Sequence, residues 1–313
     1  MNSQSKNLIK ETEDAVAYGI SKNGSGKSKR LDVLKTYKLY IDGKFPRTES
    51  GRYYVLKDQD GKSLANICRG SRKDFREAVV AARKAQPGWA AKTAYNKGQI
   101  LYRIAEMLEG RKTQFVSELM MQGLLQAEAE QEVNLSVDRL LYYAGWSDKY
   151  IQVFSSVNPV ESSHFNFSMP EPMGVISILS PEDFGLIGLV STIAPAIVGG
   201  NTVVVLASKE KPLSAVTFGE VLNSSDVPGG VVNILTGFRA ELLAHFSNHM
   251  DVNACIYCGN EEEEIKKVQI NSSLNVKRAV INSKHDWLKE NAQDPYRILD
   301  MQEIKTTWHP IGQ

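Results

Sequence analysis

The sequence predicts an α/β fold with a doubly wound parallel sheet, on three observations. Short apolar runs recur at 175–179, 202–206, 231–235 and 254–257. Helix-forming stretches of about a dozen residues separate them. Glycine and proline punctuate the joins, at Pro181 to Gly185, Gly199-Gly200-Asn201 and Pro228-Gly229-Gly230. Strands alternating with helices at that spacing specify right-handed crossovers. Ligands of such sheets bind outside the carboxyl ends of the strands, so the loops after 179, 206, 235 and 257 are where function is expected.

In chain order, residues 1–36 are polar and basic and are expected to be a flexible segment. It carries Gly24-Ser25-Gly26-Lys27-Ser28, the end of a phosphate-loop pattern. That pattern also needs a glycine where Ser21 stands and a strand leading in, so a Gly/Ser/Lys linker is the better reading. From Tyr37 the chain alternates to Ile41, turns at Asp42-Gly43 and resumes at Lys44-Phe45. An amphipathic helix spans 72–86, with Pro87-Gly88 stopping it. Further helices are expected at 94–110, 112–130 and 131–154, interrupted at Gly110 and Gly123. The central block adds helices at 186–198, 213–223 and 238–247 between its strands. The organisation expected is 37–157 helical, 158–170 an arm strand, 171–282 the α/β part, and 283–313 a linker with a closing strand.

Composition narrows the function classes. The chain has 313 residues, 37 basic and 36 acidic, and a net charge of +1, which argues against nucleic acid as the partner. The uncharged stretch 184–206 contains Pro195 and Gly199-Gly200, so it reads as helix, turn and strand, not as a membrane span. The N-terminus has acidic residues and no long apolar run, unlike a secretory signal. Three cysteines, Cys68, Cys255 and Cys258, are too few for a disulfide framework, and a cytoplasmic location is expected. Cys255 and Cys258 have the spacing of a redox or metal pair, but no second pair or histidine cluster completes a zinc site. Core packing is the simpler reading for Cys68 and Cys255, and Cys258, at a turn before a helix, is the most exposed candidate thiol.

Four blocks carry a resemblance: EPMGVISILSPEDFG (171–185), IAPAIVGGNTVVV (193–205), PGGVVNILTG (228–237) and HMDVNACIYCGN (249–260). In order and spacing they resemble the aldehyde dehydrogenase superfamily from about Tyr37 to Asn282. The resemblance implies a Rossmann-like sheet of the coenzyme-domain type with a small β oligomerisation arm. It also implies a cysteine nucleophile, a glutamate base, an oxyanion-binding asparagine and NAD or NADP in active members. Matched to the family's blocks, Asp183 falls on the oxyanion asparagine, where a carboxylate repels the developing charge. Asn282 falls on the general-base glutamate and cannot take a proton at neutral pH. The nucleophile is expected after Asn282, and no cysteine follows Cys258.

The cofactor positions depart as well. Leu206 and Lys209 fall on the lysine and glutamate that hold the adenosine ribose, and Gly259 and Asn260 fall in the turn beneath the pyrophosphate. Glu261 to Glu264 follow at once and already answer the helix dipole, so no bound cofactor is expected, NAD or NADP being the candidates if one binds. Met301 to Pro310 resembles the family's closing arm strand, with Ile304, Thr306 and Trp308 on one face. Its expected partner is 164–169, with Phe165 and Phe167 on one face. The catalytic domain is expected to be absent, in a design similar to the truncated second module of two-module aldehyde dehydrogenases. The function expected is a non-catalytic subunit that pairs with itself or with a complete aldehyde dehydrogenase. The alternative is an NAD(P)-dependent oxidoreductase acting on aldehydes, with Asp183 as acid or base and Cys258 as nucleophile.

Overall fold

The computed structural model describes residues 33–312. The phosphate-loop-like segment and most of the basic N-terminal stretch lie outside the described residues. Contacts divide the chain between Lys35 and Thr36, and the second unit, Thr36–Gln313, holds every element named below.

The central sheet has five parallel strands: β6 (Val175–Leu179), β7 (Thr202–Leu206), β8 (Val232–Leu235), β9 (Ala254–Cys258) and β10 (Arg278–Asn282). Their order is β10-β9-β6-β7-β8, so the winding reverses at β6 and the switch point lies between β6 and β9. The fifth strand, β10, was no part of the expected set, because its residues are all half-buried and its apolar run, Ala279 to Ile281, is only three residues long.

Both faces of the sheet are covered, as a parallel sheet requires. On one face Ile176, Ile178, Val203, Val205 and Ile256 meet helices α2 (Ala94–Gly110), α4 (Gln126–Trp146), α6 (Ile187–Val198) and α7 (Leu213–Asn223). On the other, Val175, Leu179, Val204, Leu206 and Leu235 meet α1 (Arg72–Ala90), α8 (Arg239–Asn248) and α9 (Glu262–Ser273). Glu132 of α4 reaches under the start of α6, and its carboxylate accepts the amides of Leu186 and Ile187 at 2.7 and 3.1 Å. Two orphan donors of that helix are thereby satisfied in the interior.

The Asp42-Gly43 turn forms as expected, with both residues in the left-handed region (φ 54° and 69°). The flanking strand is shorter than its alternation suggests. β1 is only Thr36–Tyr37, paired in parallel with β3 (Ser63–Cys68), which pairs with β2 (Tyr53–Lys57). Tyr40 instead exchanges backbone hydrogen bonds with Ile234 and so covers the outer edge of β8.

Two helix boundaries differ from expectation. α1 runs through Pro87 to Ala90, since Trp89 is buried and donates its indole N–H to the Ile197 carbonyl at 2.8 Å. Proline removes one helix hydrogen bond, but Pro87 faces solvent, where water replaces it. The stretch 112–154 breaks into α3 (Lys112–Met121), α4 and α5 (Tyr150–Phe154). Gly123, at φ 100°, ends α3, and no break occurs at residue 130.

The arm is a three-stranded antiparallel sheet in the order β11-β5-β4, from β4 (Ser156–Asn158), β5 (His164–Pro172) and β11 (Gln302–Pro310). β11 pairs with β5 along its whole length, as the sequence predicts. Residues 283–301 connect β10 to β11 with one 3₁₀ turn (Glu290–Ala292) and a short helix, α10 (Tyr296–Leu299), and no further domain.

Trp89→Phe keeps the ring's bulk and removes the bond to Ile197. It is expected to lower unfolding stability by about 1–2 kcal/mol, read from the denaturant midpoint. An unchanged midpoint would show that the extension past Pro87 does not rest on that bond.

Candidate functional site

The carboxyl ends of β6 and β9 present the crevice where a ligand of this fold would sit. Its floor is held by a residue that sequence reasoning did not single out. Arg239 opens α8, and its side chain is 11% exposed. The guanidinium donates to the Ser180 carbonyl behind β6. It lies 3.5 Å from Glu182 Oε1 and 3.6 Å from Glu264 Oε2. It also stands 5.2 Å from the centre of the Tyr257 ring. The hydroxyl of Tyr257 donates to Glu264 at 2.8 Å, and burial followed by that carboxylate raises its pKa to about 12.

Glu182 ties the same point to the loop behind β7. Its carboxylate accepts from the Lys209 amide at 2.7 Å and the Ser208 hydroxyl at 3.2 Å. Arg239 therefore clamps the loops after β6 and β7 to the first turn of α9. The only signal for this in the sequence was that Arg239 follows β8 on a loop already marked as a place for function.

The expected site residues distribute as follows. Asp183 is exposed on the loop after β6, and its carbonyl accepts from Lys211 Nζ at 2.6 Å. Asn282 ends β10, with its side-chain oxygen 3.4 Å from Arg297 Nη1 and its amide nitrogen 3.7 Å from Cys258 Sγ. Leu206 is buried in the core, and Lys209 pairs with Glu210 at 3.0 Å. A Cβ on Gly259 would lie 2.7 Å from the Tyr257 hydroxyl and 2.9 Å from Arg239 Nη1, so a larger residue there would displace the clamp's side chains. Asn260 is exposed and accepts the Lys284 amide through its side chain.

Cys258 is not an exposed thiol. β9 runs one residue further than expected and makes Cys258 its last member, 1% exposed. Burial pushes its pKa up to about 12, and that of Cys255 to about 11. The two cysteines are three apart on a strand, so they point to opposite faces, Cys255 into one core cluster and Cys258 into the other. A redox or metal pair is thus ruled out by geometry. Asp183 and Cys258 do not form the acid and nucleophile that the enzymatic reading asks of them, since one is in solvent and the other in the core.

A dinucleotide needs anion-binding groups at this crevice, and the residues present do not fit it. The start of α6 is taken by the Glu132 carboxylate. The start of α9 carries Glu262, Glu263 and Glu264 in its first turn. Carboxylates in both places oppose a pyrophosphate, and the Arg239 guanidinium is already engaged by Glu182 and Glu264. Beside the clamp, a groove of about 450 Å³ opens between α8 and α9, lined by Ala240, Leu243, Glu263, Lys267 and Ile270 among others.

Comparison with known proteins agrees with the resemblance. The aldehyde dehydrogenase family model matches residues 45–283. Aldehyde dehydrogenase 1A1 of Gallus gallus is 30% identical over 254 residues, 79% of this chain and 49% of its own. Retinal dehydrogenase 2 of Gallus gallus is 32% identical over 236 residues, 73% of this chain and 45% of its own. Among solved structures, PnpE from Pseudomonas sp. WBC-3 superposes with a TM-score of 0.75 at 26% identity, covering 80% of this chain and 50% of that one. The NAD+ complex of aldehyde dehydrogenase from Bacillus cereus gives 0.76 at 24% identity, covering 80% and 51%. This chain spans about half the length of the relatives it matches. It belongs to the aldehyde dehydrogenase family.

Burial of the thiols has two measurable consequences. At pH 8 the folded chain is expected to show no fast reaction with a thiol-specific disulfide reagent, and three thiols after unfolding. Cys255 and Cys258 titrate higher folded than unfolded, so the stability they carry is complete below pH 9 and declines as pH rises towards 11–12. Relative to Cys258→Ala, the native chain should lose up to about 1.4 kcal/mol more per pH unit above pH 9, measured by urea midpoints.

Proposed function

We propose that this chain is a non-catalytic aldehyde dehydrogenase-like subunit that assembles through its arm, with a second copy of itself or with a complete aldehyde dehydrogenase. The observation that carries the reading is the Arg239 clamp. It fills the switch-point crevice with the chain's own charges and leaves the neighbouring helix starts to carboxylates. Asp183 at the oxyanion position and Asn282 at the base position support it, because neither can perform the step its position serves.

The arm supports the assembly part. β11 leaves a nine-residue outer edge without a partner strand among the described residues. The β5–β11 register sets Ile304, Thr306 and Trp308 opposite Pro170, Ser168 and Asn166, while Phe165 and Phe167 oppose His309 and Thr307. The two groups therefore occupy opposite faces of the arm. Ile304, Trp308 and Phe165 are 57%, 56% and 45% exposed, so both faces offer apolar surface as well as an edge.

The second reading is an NAD(P)-dependent oxidoreductase acting on aldehydes. The names of the relatives favour it, and so does the α8–α9 groove, which has room for a flat base beside the clamp. It requires Arg239 to release its carboxylates and the dinucleotide to accept those of α9.

Calorimetric titration with NAD and NADP separates the readings. The subunit reading expects no saturable heat, and saturable binding of either would favour the oxidoreductase. Light scattering, on the chain alone and mixed with a complete aldehyde dehydrogenase, tests the arm. Assembly in at least one condition, weakened by Trp308→Glu, is expected, and monomer throughout would sink the proposal.

A further inference from the structure

The outer edge of β11 is open only along its middle. The Met173 amide donates to the Met301 carbonyl at 3.4 Å, one step before the Gln302–Pro172 pair. At the far end the Ile311 amide donates to the Ser163 carbonyl at 3.0 Å. Backbone groups alternate sides along an antiparallel strand. The odd residues of β11 therefore bond β5, and the even ones, from Gln302 to Pro310, turn their backbone groups outwards.

Both ends of that outward row are closed. The Gln302 carbonyl accepts from Arg278 Nη1 at 2.7 Å, and Pro310 has no N–H to offer. The even residues left with N–H and C=O both open, among the described residues, are Ile304, Thr306 and Trp308. That row is symmetric about Thr306. We infer that it is the contact with a second copy of this chain, the two β11 strands pairing antiparallel about a two-fold axis at Thr306. The inference rests on the subunit reading above and narrows its partner to a second copy.

In that register Ile304 faces the second copy's Trp308, Thr306 faces its own counterpart, and each pair exchanges both its hydrogen bonds. Every open group of the row is then used. The side chains agree with the backbone. Ile304 and Trp308, both more than half exposed, meet as an apolar cross-strand pair. On the opposite face Glu303 meets His309, and Lys305 meets Thr307. Lysine guards many edge strands, but Lys305 is drawn back within the arm by Glu171 at 3.0 Å. Moving the axis by one residue spoils the match. Centred on Lys305, it sets two lysines against each other and Trp308 against the closed Gln302 carbonyl. Centred on Thr307, it sets Ile304 against Pro310, which cannot donate, and Lys305 against His309.

Light scattering of the full chain is expected to give twice its 34.8 kDa. Thr306→Pro removes an outward N–H and no bond to β5, so it should raise the dimer dissociation constant at least about tenfold while the chain stays folded by circular dichroism. The register is read with Glu303→Cys and His309→Cys, whose positions are exposed while the native thiols are buried. Mild oxidation should link an equimolar mixture of the two variants and neither variant alone. If Thr306→Pro does not fold, the cross-link decides. A monomer at every concentration, a dimer untouched by Thr306→Pro, or a mixture that does not link would overturn the inference. Assembly with a complete aldehyde dehydrogenase after any of these results would leave the subunit reading standing, whereas a chain that stays monomeric beside that enzyme as well would end both.

Discussion

A parallel sheet offers no face to solvent, and most of this molecule follows from that requirement. Every residue of β6, β7, β8 and β9 is buried, with helices against both faces. Chemistry is then confined to the ends of the strands and to the loops that leave them. The cysteines show the constraint most plainly. Cys255 and Cys258 are close in sequence, yet the alternation of a buried strand sends one into each core and gives neither access to solvent. A spacing that suggests a redox pair on a loop becomes two packing residues on a strand.

At the strand ends the governing term is electrostatic. Glu182 and Glu264 converge on the switch point from the β6 loop and α9, and Arg239 is the cation between them. Removing it would leave two carboxylates facing each other in a partly dry crevice, and breaking such a cluster costs more than its net contribution when intact. The clamp is a structural joint between the loops after β6 and β7 and the first turn of α9. The family fold is kept, and in the reading proposed above its ligand-facing end is rebuilt around an internal ion cluster.

The parts of this that were legible in the sequence are those with strong local signals. Uninterrupted apolar runs marked β6 to β9, and the Asp42-Gly43 pair marked a turn whose two positive φ values it alone supplies. The arm pairing followed from the family resemblance of 301–310 and 164–169, and the register bears it out. The signals that failed were those that tertiary contacts override. Pro87 did not stop its helix, because the buried Trp89 two residues on holds the chain in it. β10 went unnoticed because its apolar run is only three residues long, between Arg278 and Asn282. Arg239 could not be found at all by local pattern, since its role exists only where three distant loops meet.

The central claim, that the chain's own charges close the switch-point crevice, is tested most directly by a crystal structure determined in excess NAD. The account predicts Arg239 between Glu182 and Glu264, and no dinucleotide over the ends of β6 and β9. A dinucleotide whose pyrophosphate lies at the start of α9, with Arg239 turned onto it, would contradict it.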